Sequence, residues 1–112
     1  MAPELLQIGI SHEVDRVIIS LEGELDMANA PHLQSAIEGD EIAGKTLVLD
    51  LDQLHFIDST GLRIILSARE RCRQAGQEFA ITRGSSQVQR LLSVTGVAEH
   101  LRMIDTPDEV LA

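Results

Sequence analysis

The sequence predicts an α/β fold: a mixed β-sheet of about four to five strands with α-helices packed against it. Three observations carry this. Two apolar segments with strand-like patterning stand together at the N-terminus, with only a polar stretch between them. Behind them, helical and strand-like segments alternate to the end of the chain. One later segment, Lys45 to Leu51, is almost continuously apolar, as a strand covered on both faces must be. Adjacent leading strands suit a hairpin, and alternation suits parallel strands joined by right-handed crossovers.

The elements follow in order. Leu5 to His12 alternates loosely, with Leu6, Ile8 and Ile10 on one face. Ser11 to Arg16 is polar and suits a turn into a second strand over Val14 to Gly23, centred on Val17-Ile18-Ile19-Ser20-Leu21. Gly23-Glu24-Leu25-Asp26 interrupts the pattern. From Asn29 a helix is expected: Asn29 caps, Pro31 suits the first turn, and Leu33 and Ile37 share a face before Gly39 stops it. The apolar strand Lys45 to Leu51 leads through Leu54-His55-Phe56-Ile57 to the longest helical pattern, Gly61 to Ala75. There Ile65, Ala68, Cys72 and Ala75 share the inner face, and Gly76 closes the helix. Gln77 to Thr82 reads as a strand. Ser86 and Gln89 have the spacing of a capping box for a helix carrying Val88, Leu91, Leu92 and Thr95 and ending at Gly96. Leu101 to Ile104 suits a last strand, and Thr106-Pro107-Asp108-Glu109 another helix start.

Bulk properties narrow the function. The 112 residues suit a single domain over 1–112, with 44% hydrophobic residues to build its core. Two Phe and no Trp or Tyr leave that core to aliphatic side chains and remove the stacking platforms of single-strand nucleic-acid binders. A formal net charge of -9 repels phosphate backbones and anionic lipid, so no direct nucleic-acid contact and no membrane insertion are expected. No apolar stretch approaches the roughly 20 residues of a membrane span. Cys72 is the single cysteine, and the N-terminal segment MAPELLQIGI lacks the pattern of a secretory leader, so a cytoplasmic location is expected.

The informative segment is Asp58-Ser59-Thr60-Gly61-Leu62, at a strand-to-helix junction. It sets Ser59 at or near a helix N-terminus, where free N–H groups and the positive end of the dipole favour an anion. A plain capping role for Asp58, Ser59 or Thr60 explains the same residues. Catalysis by Ser59 would need a base such as His55 and an oxyanion hole, and Ser59 is not in a Gly-x-Ser-x-Gly elbow, so no enzyme activity is expected. His12, His32, His55 and His100 are scattered without zinc-like spacing, and the glycines form no phosphate-binding loop, so no metal and no cofactor are expected.

Gly23-Glu24-Leu25-Asp26, Leu47-Val48-Leu49-Asp50-Leu51, Phe56-Ile57-Asp58-Ser59-Thr60-Gly61-Leu62 and Val88-x-x-Leu91-Leu92-x-x-x-Gly96 together resemble the STAS domain family, and most closely its stand-alone anti-sigma-factor antagonists. The likeness runs from about Leu5 to about Asp105. It implies that Ser59 is phosphorylated by the anti-sigma factor, an ATP-dependent serine kinase, and that a serine phosphatase resets it. The unphosphorylated form would bind the anti-sigma factor and release the sigma factor. Asp26 would lie beside Ser59 and take part in recognition. The expected contact set is Asp26, Asp58, Ser59, Thr60, Gly61 and Leu62, extended by Leu66 and Arg69 from a helical stripe of Leu62, Leu66, Arg69 and Arg73. The family also offers other roles: an accessory subunit of a lipid-transport ATPase, or a part of a stress-sensing assembly.

Overall fold

The computed structural model describes residues 5–39 and 42–109 and places five strands in one sheet, ordered β1-β2-β3-β4-β5. β1 (Leu6–His12) and β2 (Arg16–Leu25) are antiparallel. β3 (Thr46–Ile57), β4 (Phe79–Thr82) and β5 (Met103–Ile104) continue from β2 in parallel. Each parallel step is bridged by a helix: α1 (Ala30–Ile37), α2 (Ser59–Gln74) and α3 (Ser86–Val94). A 3-10 turn, Val97–His100, precedes β5.

When strand order follows the chain, crossovers of one hand stack every helix on the same face of the sheet. The burial agrees: Leu33 and Ile37 of α1, Ile65 and Ala68 of α2, and Val88 and Leu92 of α3 join one cluster with Val17, Ile19, Leu47, Leu49 and Ile81. Each fully buried Val, Leu or Ile among them contributes about 1.5–3 kcal/mol. The other face carries a small cluster of its own, Ile18, Val48, Ala80 and Ile104. The segment after β5 turns back onto it. Arg16 projects to the same face as Ile18, is 9% exposed, and donates through Nη1 to the Pro107 carbonyl at 2.9 Å and the Glu109 carbonyl at 3.0 Å.

Several local expectations are corrected. The hairpin turn is tighter than Ser11 to Arg16: Glu13 N–H donates to the Arg16 carbonyl at 2.8 Å, so only Val14 and Asp15 lie outside the ladder. β2 runs on to Leu25, through Gly23 at φ 108°, where an added Cβ would lie 2.1 Å from the Leu5 carbonyl oxygen. Asn29 precedes α1 without capping it by its side chain. α3 is capped by Ser85, not Ser86: Ser85 Oγ accepts from Val88 N–H at 3.3 Å, and Gln89 Nε2 donates back to the Gly84 carbonyl. Ala75 is exposed at the C-cap of α2 rather than buried. Thr106 to Glu109 makes a turn, not a helix, within the described residues.

The largest correction concerns β3, which extends 12 residues to Ile57. Ser20 pairs with Asp50 but Glu22 with Gln53, and Gly23 with Leu54 but Glu24 with Phe56. Each step inserts one extra residue on β3, a β-bulge that turns the following side chains. Burial therefore falls on Leu51, Leu54 and Ile57, three apart, instead of alternating. This carries the end of β3 alongside the end of β2 and brings the two loops of the next section together.

Candidate functional site

The site forms where β2 and β3 end. Asp58 follows β3 with extended backbone (φ -102°, ψ -177°) and is the N-cap of α2. Its Oδ1 accepts from Gly61 N–H at 2.9 Å, and its Oδ2 accepts from Met27 N–H at 3.0 Å. Asp58 N–H in turn donates to the Leu25 carbonyl at 3.1 Å. One residue thus caps the helix and ties it to the loop after β2.

That loop is held from within by Asp26. Asp26 Oδ1 accepts from the N–H groups of Ala28 (3.0 Å) and Asn29 (3.2 Å). Asn29 Oδ1 accepts from Asp26 N–H at 2.9 Å, while Asn29 Nδ2 donates to the Glu24 carbonyl at 2.9 Å. Asn29, missing as a helix cap, is spent on the loop. The structure thereby brings Asp26 and Asp58 to one rim, bridged by Met27.

With Asp58 as the cap, Ser59 is the first residue of α2 and is exposed. Gly61 and Leu62 donate their N–H groups to Asp58. The N–H groups of Ser59 and Thr60 have no acceptor among the described residues, so the dipole end of the helix remains open there. Thr60 is half-buried.

Gly61 and Leu62 do not lie on the surface. Leu62 is 7% exposed, and a methyl group added at Gly61 would sit 2.7 Å from Ile57 Cγ1 and 2.9 Å from Leu25 Cδ2. Both face inward because α2 crosses close over the ends of β2 and β3. Leu66 is half-buried and packs on the core, and Arg69 is half-buried on the same flank. Arg73 is exposed and held by the Glu70 carboxylate, whose pKa falls from the ordinary 4.5 to about 2, chiefly through that hydrogen bond. The outward stripe in line with Ser59 is instead Arg63, Ser67 and Arg71, at intervals of four. Burial keeps Cys72 inside α2 and pushes its thiol pKa up. His55 is exposed on β3 and shares no hydrogen bond with Ser59 among the described residues.

Two exposed apolar side chains near the ends of β2 and β3 were not among the expected contact residues. Met27, 72% exposed, rides on the backbone that Asp58 holds; Phe56, 48% exposed, stands two residues before Asp58. Neither shows in periodicity, because Met27 lies in a turn and Phe56 beyond a bulge.

The chain is similar to known proteins over most of its length. The chain is 32% identical over 104 residues to an anti-sigma F factor antagonist of Paenibacillus polymyxa, covering 89% of this chain and 87% of that one. It is 28% identical over 99 residues to the anti-sigma-B factor antagonist of Listeria monocytogenes, covering 88% and 87%. A crystal structure of an anti-sigma factor antagonist from Mycobacterium paratuberculosis superposes with a TM-score of 0.82 at 26% identity, over 96% of this chain and 92% of that one. The STAS domain family profile matches residues 7–110, so both loops and all of the sheet but its first residue fall within it, and the chain belongs to the STAS domain family.

Proposed function

We propose that this protein is an anti-sigma-factor antagonist and not an enzyme, with Ser59 as a phosphorylation switch. The observation that supports it most is the exposed Ser59 on the open first turn of α2, with Asp58 already serving as the cap. The hydroxyl is spared from structural duty. A phosphate there meets two free N–H groups and a favourable dipole, so modification does not require the fold to change. The unphosphorylated rim binds an anti-sigma factor that is a serine kinase, and a serine phosphatase removes the phosphate. Both partners meet the protein in the cytoplasm.

In this reading Asp26, Asp58, Ser59 and Thr60 form the contact rim, and Leu66 and Arg69 its flank. Gly61 and Leu62 contribute by setting the position of the helix start. A phosphate adds roughly -1.5 to -2 charges to a rim that already carries two aspartates. Two like unit charges about 6 Å apart repel by roughly 3 kcal/mol at an effective dielectric of about 20. After screening, about 1.4 kcal/mol still weakens binding tenfold.

The test pairs mass spectrometry with calorimetry. Incubated with its cognate anti-sigma kinase and ATP, the wild type gains one phosphate, on Ser59. Ser59→Ala binds the kinase like wild type and resists switching; Ser59→Asp binds at least tenfold more weakly. Phosphate confined to Thr60 or Ser67, or equal affinity of all three proteins, would overturn the reading. Recovery of a transport ATPase as the sole partner would assign the chain the accessory role instead.

A further inference from the structure

The outer edge of the sheet at β1 has no pairing partner among the described residues. Glu24 N–H donates to the Leu5 carbonyl at one end of the β1–β2 hairpin, and Glu13 N–H to the Arg16 carbonyl at the other. Both pairs are odd-numbered on β1. In an antiparallel ladder hydrogen-bonded residues alternate, so Gln7, Gly9 and Ser11 also face β2. The N–H and C=O groups of Leu6, Ile8, Ile10 and His12 therefore point outward.

This edge lacks the usual protection. Leu6 to His12 contains no Lys, no Pro and no acidic residue, and its pairing with β2 has no bulge. Ile10 is 48% exposed and Leu5 53%. Beside the strand lies a groove of about 260 Å³, lined by Leu5, Leu6, Ile8, Asn29 and His32. The opposite edge, β5, is only two residues long and offers no comparable template.

We propose that β1 pairs antiparallel with β1 of a second copy, continuing the sheet across a two-fold axis at Gly9. The choice of a second copy rests on self-complementarity. In the register that pairs all seven residues, Leu6 meets His12, Gln7 meets Ser11, and Ile8 meets Ile10, with no like charges opposed. Ile10 of the second copy then stands beside Ile8 on the helix-covered face, at the mouth of the groove. Its exposure and the groove are accounted for by one contact. The pairing is small for an interface, so the association is weak and shows only at high protein concentration. Each copy carries a net charge of -9, so association tightens as salt screens the repulsion.

Sedimentation velocity across a concentration series, at low and high salt, tests this on the full chain. A two-fold dimer that strengthens with salt is expected. Concentration-dependent protection of the Leu6, Ile8, Ile10 and His12 amides is expected alongside it. Ile10→Lys should weaken the dimer at least tenfold with an unchanged melting temperature, because Ile10 is half exposed in the monomer. Ile10→Val, keeping the apolar branch, should retain it. A wild type that stays monomeric to about 1 mM would overturn the proposal. So would a dimer that Ile10→Lys leaves intact, or one that salt dissociates. Protection of the β1 amides only on adding a foreign extended peptide would assign the edge to a different partner and equally overturn it.

Discussion

Asp58 shows how much one side chain can hold. Its two carboxylate oxygens serve two different segments, the first turn of α2 and the loop after β2. Replacing it by Ala removes a cap, worth about 1 kcal/mol, and a charge-assisted bond to Met27 N–H of similar size. Asp58→Ala is therefore expected to lose about 2 kcal/mol in chemical denaturation, with Asp58→Asn losing less because an acceptor remains. A loss under about 0.5 kcal/mol would mean that water replaces both bonds. Three capping-competent residues stand in a row in the sequence, which made a cap legible there but not its owner. The owner is decided by backbone direction: Asp58 is extended, and Ser59 is already helical.

Among the elements, α2 is set by how closely it crosses the strand ends. Gly61 lies against Ile57 and Leu25, leaving no room for a methyl group. Alanine is favoured over glycine in a helix by about 1 kcal/mol, but overpacking costs about 1–3 kcal/mol. Gly61→Ala is thus expected to destabilise or to push the helix start outward. Thermal unfolding together with partner affinity separates these outcomes: a shifted helix loses affinity with little loss of melting temperature. A variant as stable as wild type with full affinity would show that Leu25 yields without consequence. The helical period of α2 was readable from Ile65, Ala68 and Cys72. Its first two residues were not, because capping residues carry no periodicity. Leu62 and Leu66 are apolar enough to sit on either side of the helix; packing decides that Leu62 is buried while Leu66 stays half-buried on the flank.

Across the molecule, two ends of the sheet do different work. The Ser59 rim sits at the carboxyl ends of β2 and β3, and Arg16 at the start of β2, about 30 Å away along the strand. Arg16 binds the carbonyls of Pro107 and Glu109 and so closes the chain over the Ile18, Val48, Ala80 and Ile104 face. Hydrogen bonds from a charged donor are worth about 1.5–3 kcal/mol each. Arg16→Met keeps an apolar stem but no donor, and is expected to lower stability by about 2–4 kcal/mol. Amide exchange should rise over residues 105–109, and affinity for the partner should hold. Loss of affinity matching the loss of stability would show instead that the two ends are coupled.

The sequence by itself determined the fold class, the order of elements, the parallel and antiparallel steps and the junction that carries Ser59. Those features rest on hydrophobic periodicity and local turn chemistry, which act over a few residues at a time. Only the tertiary structure decided the bulged path of β3, the Asp58 bond to Met27, the inward turn of Gly61 and Leu62, and the closure by Arg16. The long-range contacts among these join residues 31 to 93 positions apart, and each bulge shifts a register by one. Such contacts arise when whole strands and helices settle against one another, and no local pattern encodes them.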